Sequence, residues 1–188
     1  MVAVERIRRQ QILREAEGYL DLIGLFEEEE WVPSAPIRKR LAQRSLDMLD
    51  RLAERHSPGP QTHLLRGQAL RAAERYAEAI EPLQAAVAAD PSMIEAWLAL
   101  GWCFKRSGRL DCAIESLKEA LAADPEQGIV HYNLSCYWSL AGKVALALHH
   151  LSQALALDAV FRARAEREPD FDPIRNDPGF QSLTSAVV

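Results

Sequence analysis

The sequence predicts an all-α protein, an α-solenoid of antiparallel helix hairpins that ends in a carboxyl-terminal capping helix. Three observations predict this fold class. Three consecutive segments align without gaps at a period of 34 residues, and a fixed period of this length is typical of repeat architectures. Each segment holds two stretches whose apolar residues recur at helical spacing. Aromatic residues make up only 7% of the chain, which favours the packing of helix on helix over a β-sandwich.

The repeats are predicted at residues 60–93, 94–127 and 128–159. Small residues recur on both helices of each hairpin, so that the helices approach closely, and a leucine fills the remaining gap. A single hairpin of this kind cannot bury its apolar face alone, so neighbouring hairpins must stack. The recurring positions are Gly67, Gly101 and Ser135 on the first helices, and Ala79, Ala113, Ala147, Leu83, Leu117 and Leu151 on the second.

Glycines and prolines separate the predicted helices. Gly108 and Gly142 lie between the two helices of their repeats, where a residue in the left-handed conformation ends the first helix. Pro91 and Pro125 each follow an aspartate. They end the second helices, because proline cannot continue a helix and restricts the residue before it.

One proline falls inside a predicted helix. Pro82 lies in the second helix of the first repeat. There it removes a backbone hydrogen bond and crowds the carbonyl of Glu78, at a cost of about 3 kcal/mol in a straight helix. We therefore expect a bend or a local break between Glu78 and Pro82.

The middle repeat carries a recognisable signature, which consists of Trp97, Leu100, Gly101, Phe104, Ala113, Leu117, Ala120 and Pro125. With this signature the chain resembles the tetratricopeptide repeat family, in its bacterial form, over roughly residues 60–159. The resemblance implies a right-handed superhelix in which the first helices of successive repeats line a concave side.

The segment before the repeats is predicted to be a degenerate helical hairpin at residues 1–58. Its first helix is expected from about Val4 to Glu28, and its second over residues 38–57. A long loop at 27–37 joins them. The four glutamates of this loop are interpreted as a solvated helix end or, alternatively, as an acidic docking surface. Trp31 either folds back onto the hairpin or is exposed for a partner.

The segment after the repeats, residues 160–188, is predicted to be a carboxyl-terminal cap. Asp177 followed by proline is a favourable helix start, because the aspartate caps the helix and the proline fits its first turn. Solenoids need such a terminal cap over their last apolar face. The residues expected to cover that face are Phe171, Ile174, Phe180 and Leu183.

Composition excludes several classes of protein. A net charge of −5 argues against a general nucleic-acid binder, which needs a basic face. No apolar run approaches the ~20 residues that cross a bilayer. The amino terminus lacks the apolar core of a signal peptide, and the three cysteines form no CxxC pair, which fits reduced thiols. We therefore expect a cytoplasmic protein that does not insert into membranes.

No constellation of residues indicates catalysis. The chain has no glycine-rich phosphate loop and no nucleophile paired with a base. His149 and His150 are adjacent in sequence, so a helix points them about 100° apart. Together with His131 they are interpreted as packing and surface residues. The sequence predicts no catalytic residue, no metal site and no cofactor, and hence a protein that is not an enzyme.

The resemblance implies a partner-binding groove on the first helices. Its apolar and aromatic side chains offer anchor points, and its cations suit a peptide or protein segment with acidic groups. The alternative is that the chain's own amino-terminal helix or tail covers the groove. The predicted groove residues are Leu64, Gln68, Arg71, Leu98, Trp102, Lys105, Arg106, Ile129, Tyr132, Asn133 and Cys136.

The leading functional prediction is a non-catalytic adaptor that binds a peptide or partner protein in this groove. One alternative is a substrate-specific chaperone, similar to the small three-repeat chaperones of bacterial secretion systems. Another is a structural scaffold that self-associates into a homo-oligomer through the amino-terminal hairpin or the tail. The clamp that some relatives use to hold the carboxylates of chaperone tails is not matched at the corresponding positions of this sequence.

Overall fold

A computed structural model describes residues 2–24, 34–54 and 56–185. Within these residues every regular element is helical and no strand occurs. Trp31, the four glutamates beside it and most of the predicted loop at 27–37 lie outside the described residues. The chain divides into two compact units, Met1–Ser107 and Gly108–Val188. The division predicted from the repeats, at residues 58 and 159, stays a prediction.

The described part of the first unit contains five helices. Consecutive helices pack against each other, and α3 also contacts both α1 and α5. Alternate helices therefore touch, as expected where hairpins stack to share a core. The helices are α1 (Val2–Gly24), α2 (Ala35–Ala53), α3 (Pro60–Ala72), α4 (Tyr76–Ala89) and α5 (Ile94–Arg106).

The predicted amino-terminal hairpin joins the core of this unit through three residues. Ala16 of α1, Leu49 of α2 and Leu65 of α3 are buried together in one apolar cluster. Three partly buried side chains complete the cluster, and burying each large apolar side chain contributes about 1.5–3 kcal/mol. These partly buried residues are Leu13, Leu20 and Met48.

Helices α3 and α4 approach closely at Gly67. A β-carbon added to this residue would overlap the side chain of Leu83 on α4. Leu83 itself is completely buried. The side chain of one helix therefore rests on the backbone of the other, and the glycine is needed for this contact.

Three equivalent turns use a left-handed residue. Gly108 has φ 73° and Gly142 has φ 67°, as the sequence predicts. The equivalent residue of the first repeat is Glu74, with φ 64°. Its carboxylate lies 3.0 Å from Lys39 Nζ and 3.4 Å from Arg38 Nη2, both on α2. These ion pairs offset the free-energy cost of placing a residue other than glycine in the left-handed conformation.

The structure excludes one of the two outcomes expected for Pro82, the local break, because helix α4 runs without interruption from Tyr76 to Ala89. The bend stays a prediction. Pro82 is buried in the helix. The burial of the proline ring offsets part of the lost hydrogen bond.

The second unit begins with α6 (Leu110–Ala123), α7 (Gly128–Leu140) and α8 (Val144–Leu157). The tail adds α9 (Val160–Arg167), a 3-10 helix at Pro169–Ile174 and α10 (Pro178–Thr184).

The tail packs back onto its own unit. The 3-10 helix contacts α7, and α10 contacts both α8 and α9. The Asp177 side chain accepts hydrogen bonds from the backbone of Gly179 and Phe180, so it caps α10 as predicted.

Among the helices of the described residues, none is long and apolar enough to cross a membrane.

Gly67→Ala is expected to destabilise the protein by about 1–3 kcal/mol, because the added methyl group forces Leu83 away from its buried position. Urea unfolding followed by circular dichroism measures the change. Gly24→Ala is the matched control, since a β-carbon there meets no atom within 4 Å. Equal stabilities for the two variants would contradict the close contact.

Candidate partner-binding surface

Eight of the predicted groove residues, together with Ser139, form three equivalent rows on three helices. Each row follows i, i+4, i+7 spacing, which places its members on one helical face. The rows are Leu64, Gln68 and Arg71 on α3, Leu98, Trp102 and Lys105 on α5, and Tyr132, Cys136 and Ser139 on α7.

The row on α5 presents an aromatic ring and a cation together. The side chain of Trp102 is 38% exposed, and it is among the large apolar residues that stay accessible. Lys105 Nζ lies 5.0 Å from the centroid of the Trp102 ring. Such a contact is worth about 0.5–1 kcal/mol at an accessible site. The contact holds the ammonium group of Lys105 beside an apolar surface. Leu98, one turn before Trp102, is half-buried.

The row on α3 supplies a second cation next to α5. Arg71 is exposed in the last turn of α3. Helix α3 contacts α5, and the charge of Arg71 opposes the rise in the pKa of the Cys103 thiol on α5, which burial brings to about 11. Gln68 is half-buried. We call Gln68, Arg71, Leu98, Trp102 and Lys105 the α3–α5 surface.

Arg106 does not face the same way as Lys105. Its guanidinium carbon lies 5.2 Å from the centroid of the Tyr76 ring on α4. Its charge also contributes to lowering the pKa of Glu74, although the hydrogen bond and charge of Lys39 are the main cause. Arg106 therefore belongs to the edge between α4 and α5. Sequence spacing alone did not separate it from Lys105.

Leu64 must be corrected. The side chain is 2% exposed, so it is part of the core of the first unit and not a surface anchor. The residue sits one turn before Gln68 on α3, where this helix contacts both α1 and α5. An apolar side chain at such a site packs inside the protein.

The row on α7 is covered by the chain's own tail. The Tyr132 ring stacks on Phe161 of α9 at a centroid distance of 5.0 Å. It also meets the edge of Phe171 in the 3-10 helix at 5.9 Å. This burial raises the pKa of Tyr132 above its ordinary value. Tyr132 and Cys136, both predicted to contact a partner, are therefore out of a partner's reach in this structure.

Two predicted residues of α7 remain accessible. Ile129 and Asn133 are half-buried. They line an open cavity of about 480 Å³ together with Arg164 and Arg167 of α9. The tail thus leaves an open recess of mixed polarity beside the covered row.

Sequence reasoning missed the residues that decide the outcome on α7. Phe161 was not singled out, although it follows the last repeat directly. Its ring also packs over Gly128, where an added β-carbon would lie 3.0 Å from it. Phe161 belongs to the tail and Gly128 to the third repeat, so their contact becomes visible only once the path of the tail is known.

A pair of histidines lies at the contact between α7 and α8. His131 Nδ1 and His150 Nδ1 are 3.0 Å apart, and His131 Nε2 is 3.1 Å from the carbonyl oxygen of Pro125. The His131 ring therefore donates to Pro125 and accepts from His150 when both rings are neutral. Burial, together with the charges of His131, His149 and Lys118, lowers the pKa of His150 to about 4.

The described part of the chain holds no group of three or more histidine, cysteine, aspartate or glutamate side chains arranged to bind a metal ion.

Phe171→Ala is expected to cost about 3–5 kcal/mol of stability, because the ring is completely buried and its loss leaves a cavity over Tyr132. Leu157→Ala, at a residue that is 45% exposed, is the control and should change stability far less. Urea unfolding measures both changes. Similar losses for the two variants would show that the tail does not pack as described.

Stability is expected to fall as the pH is lowered from 6.5 towards 4. The folded pKa of His150 lies below the ordinary value of 6.5, so the unfolded chain binds protons more strongly over this range. His150→Gln should flatten this part of the pH profile, measured as the urea midpoint at each pH. His56→Gln, at a residue outside the pair, should leave the slope unchanged. A slope that survives in His150→Gln would exclude the pair as its cause.

Comparison with known proteins places this architecture in a family. The tetratricopeptide repeat model matches residues 38–94 and 64–128. Comparison with curated proteins gives no significant match in sequence.

Solved structures are similar in fold. A crystal structure of MamA aligns with a TM-score of 0.67 at 17% identity, covering 78% of this chain and 84% of that one. MamA 41-end from Desulfovibrio magneticus RS-1 aligns with a TM-score of 0.60 at 20% identity, covering 84% and 95%. YrrB aligns with a TM-score of 0.62 at 19% identity, covering 85% of each chain. These likenesses show the fold, an all-α solenoid. Over the matched residues 38–128, the chain is a tetratricopeptide repeat protein, and the similar structures agree with this fold.

Proposed function

We propose that the protein is a non-catalytic adaptor that binds a protein segment on the α3–α5 surface. The segment has one aromatic or other apolar anchor and acidic residues on both sides of it. The observation that supports this most directly is the accessible Trp102 ring with Lys105 above it and Arg71 on the neighbouring helix. Tryptophan and arginine are the residue types that most often dominate binding energy at interfaces.

Charge supports an acidic ligand. The whole chain has a net charge of −5, yet the last turns of α3 and α5 place Arg71 and Lys105 on the α3–α5 surface. The acid in the turn after α3, Glu74, is engaged by Lys39 and Arg38 of α2. An acidic segment would therefore meet a locally basic surface, and such complementarity favours both encounter and orientation.

The tail offers an internal example of a segment that fits this kind of helical face. Phe171 lies between Asp170 and Asp172 in the sequence, and its ring packs against Tyr132. Tyr132 is the α7 equivalent of Leu98. An aromatic residue flanked by acids already occupies the third row, and we infer that the open row on α5 takes a ligand of the same composition.

A similar structure also favours a peptide ligand. YrrB is described as a tetratricopeptide repeat protein with an unusual peptide-binding site. Its resemblance to this chain extends to the fold, and the ligand inferred here follows from the α3–α5 surface itself. An adaptor of this kind would act in the cytoplasm. The secretion-chaperone alternative expects an apolar segment of a secreted protein, whose binding would depend less on the charges of Arg71 and Lys105.

Peptide arrays test the proposal. Peptides with a central phenylalanine flanked by aspartates should be retained, and the same peptides with lysines in place of the aspartates should not. Trp102→Ala is expected to weaken binding at least ~10-fold, because interface tryptophans are worth about 2 kcal/mol or more. Lys105→Glu and Arg71→Glu should each weaken it by roughly 5–10-fold, since each replaces an attractive charge with a repulsive one.

The matched control is Lys118→Glu. Lys118 Nζ also lies over a tryptophan ring, 5.4 Å from the centroid of Trp138, so the variant makes the same chemical change outside the α3–α5 surface. It should bind like the unmodified protein, and circular dichroism should show every variant folded. Equal retention of acidic and basic peptides, or unchanged binding by Trp102→Ala and Lys105→Glu, would place the binding surface elsewhere.

A further inference from the structure

Helix α1 has apolar residues on two opposite sides, and only one side is used within the described part of the chain. Ala16 and Ile23 are buried against the rest of the first unit. On the other side, Val4 is 71% exposed, Ile7 is 64% exposed and Leu22 is 43% exposed. Large apolar side chains this accessible on one helix indicate a contact with another molecule.

The exposed residues follow the spacing of a helix–helix seam. Val4, Ile7, Gln11, Gly18 and Leu22 recur at intervals of three, four, seven and four residues, which places them along one face of α1. We call these five residues the α1 stripe. A β-carbon at Gly18 would meet no atom within 4 Å, so nothing in the described chain requires a glycine there. Its cost inside a helix, about 1 kcal/mol relative to alanine, is accounted for if another side chain packs onto its backbone.

A groove adjoins the stripe. A cavity of about 700 Å³ lies between α1 and α2. On the α1 side its lining includes Val4, Arg8, Gln11 and Glu15, and on the α2 side it includes Met48, Arg51 and Leu52. The stripe and the groove form one continuous surface along the first half of α1. The late residues of α2 border the early residues of α1, so the two helices run antiparallel.

The charges of α1 are divided along its length. Residues 2–14 contain four arginines and one glutamate, and residues 15–24 contain three acidic residues and no basic one. A second α1 laid antiparallel would bring each basic half against an acidic half. A parallel arrangement would oppose like charges in both halves. The helix is therefore complementary to itself in one orientation.

We propose that the α1 stripe is the interface of a homodimer, in which two copies of α1 pack antiparallel about a two-fold axis near Leu13. In this arrangement Val4 lies opposite Leu22 of the second copy and Ile7 packs over its Gly18. Arg8 faces Glu15 of the second copy along the groove side. Each contact is made twice, as in any isologous interface. The proposal does not rest on the peptide-binding function, which uses α3 and α5.

Sedimentation velocity of the full chain across a concentration series tests the interface. The unmodified protein should associate to a dimer. The double variant Val4→Glu with Ile7→Glu should raise the dissociation constant at least ~100-fold, because it places four carboxylates in an apolar seam. Leu146→Glu is the matched control, since Leu146 is an exposed leucine, at 42%, on α8. It should dimerise normally, and the thermal midpoints of the monomeric forms should agree.

A charge exchange gives a second, independent test. Arg8→Glu alone and Glu15→Arg alone each oppose like charges across the two-fold axis, so each should dimerise weakly. An equimolar mixture of the two should dimerise like the unmodified protein, because both cross pairs become complementary again.

Several outcomes would overturn the proposal. They are a monomer at all concentrations, dimerisation unaffected by the Val4 and Ile7 changes, loss of dimerisation in Leu146→Glu, or no recovery in the mixture. A monomer whose thermal midpoint falls with the Val4 and Ile7 changes would show that the chain covers the stripe itself.

Discussion

The contact between the Leu83 side chain and the backbone of Gly67 sets how closely α3 and α4 approach. At this separation Ala79 is completely buried. The spacing of α3 and α4 in turn limits how α5 can pack against them. The leucines at the equivalent positions, Leu117 and Leu151, are also completely buried. Where a leucine side chain packs directly against backbone atoms, the core has little space to relax. The stacking of the hairpins therefore depends on small residues such as Gly67 and Ala79.

The third repeat shows how a larger residue is accommodated at the glycine position. Ser135 is fully buried, and its hydroxyl donates a 2.6 Å hydrogen bond to the carbonyl oxygen of Tyr132 in the same helix. The polar group is satisfied without a partner from another helix. A hydroxymethyl group replaces hydrogen at this position, while Leu151 of the same repeat stays buried. A residue at this position must therefore be small, and any polar group that it carries must form a hydrogen bond.

Much of the fold can be predicted from local sequence. Whether each row of predicted groove residues is covered or open cannot. The period, the left-handed glycines and the Asp177 cap depend on residues near one another in the chain, and these predictions are confirmed. Whether Tyr132 faces a partner depends on where the tail runs, since Phe161 and Phe171 come from beyond the repeats. The burial of Leu64 likewise depends on two other helices packing against α3. Periodicity identifies a helical face, but it does not reveal what covers it.

The residue types in the two rows explain why the row on α7 is covered and the row on α5 is open. Tyr132 provides a flat ring that Phe161 and Phe171 match in shape, whereas Trp102 is accompanied by a cation that favours solvent or an acidic group. Aromatic rings that meet in suitable geometry stabilise each other beyond the area they bury. A cation one turn after an aromatic residue on the same helical face therefore distinguishes the open row from the covered one.

Glu74 has a consequence for the order of the hairpins. Its left-handed backbone is compensated by Lys39 and Arg38, which belong to the preceding hairpin. If this repeat followed any other hairpin of the chain, the glutamate would keep its backbone strain and lose both counter-ions. The turns with Gly108 and Gly142 carry no such dependence. The first repeat is therefore fitted to the irregular hairpin before it, and duplicating or shuffling repeats at that junction would be disfavoured.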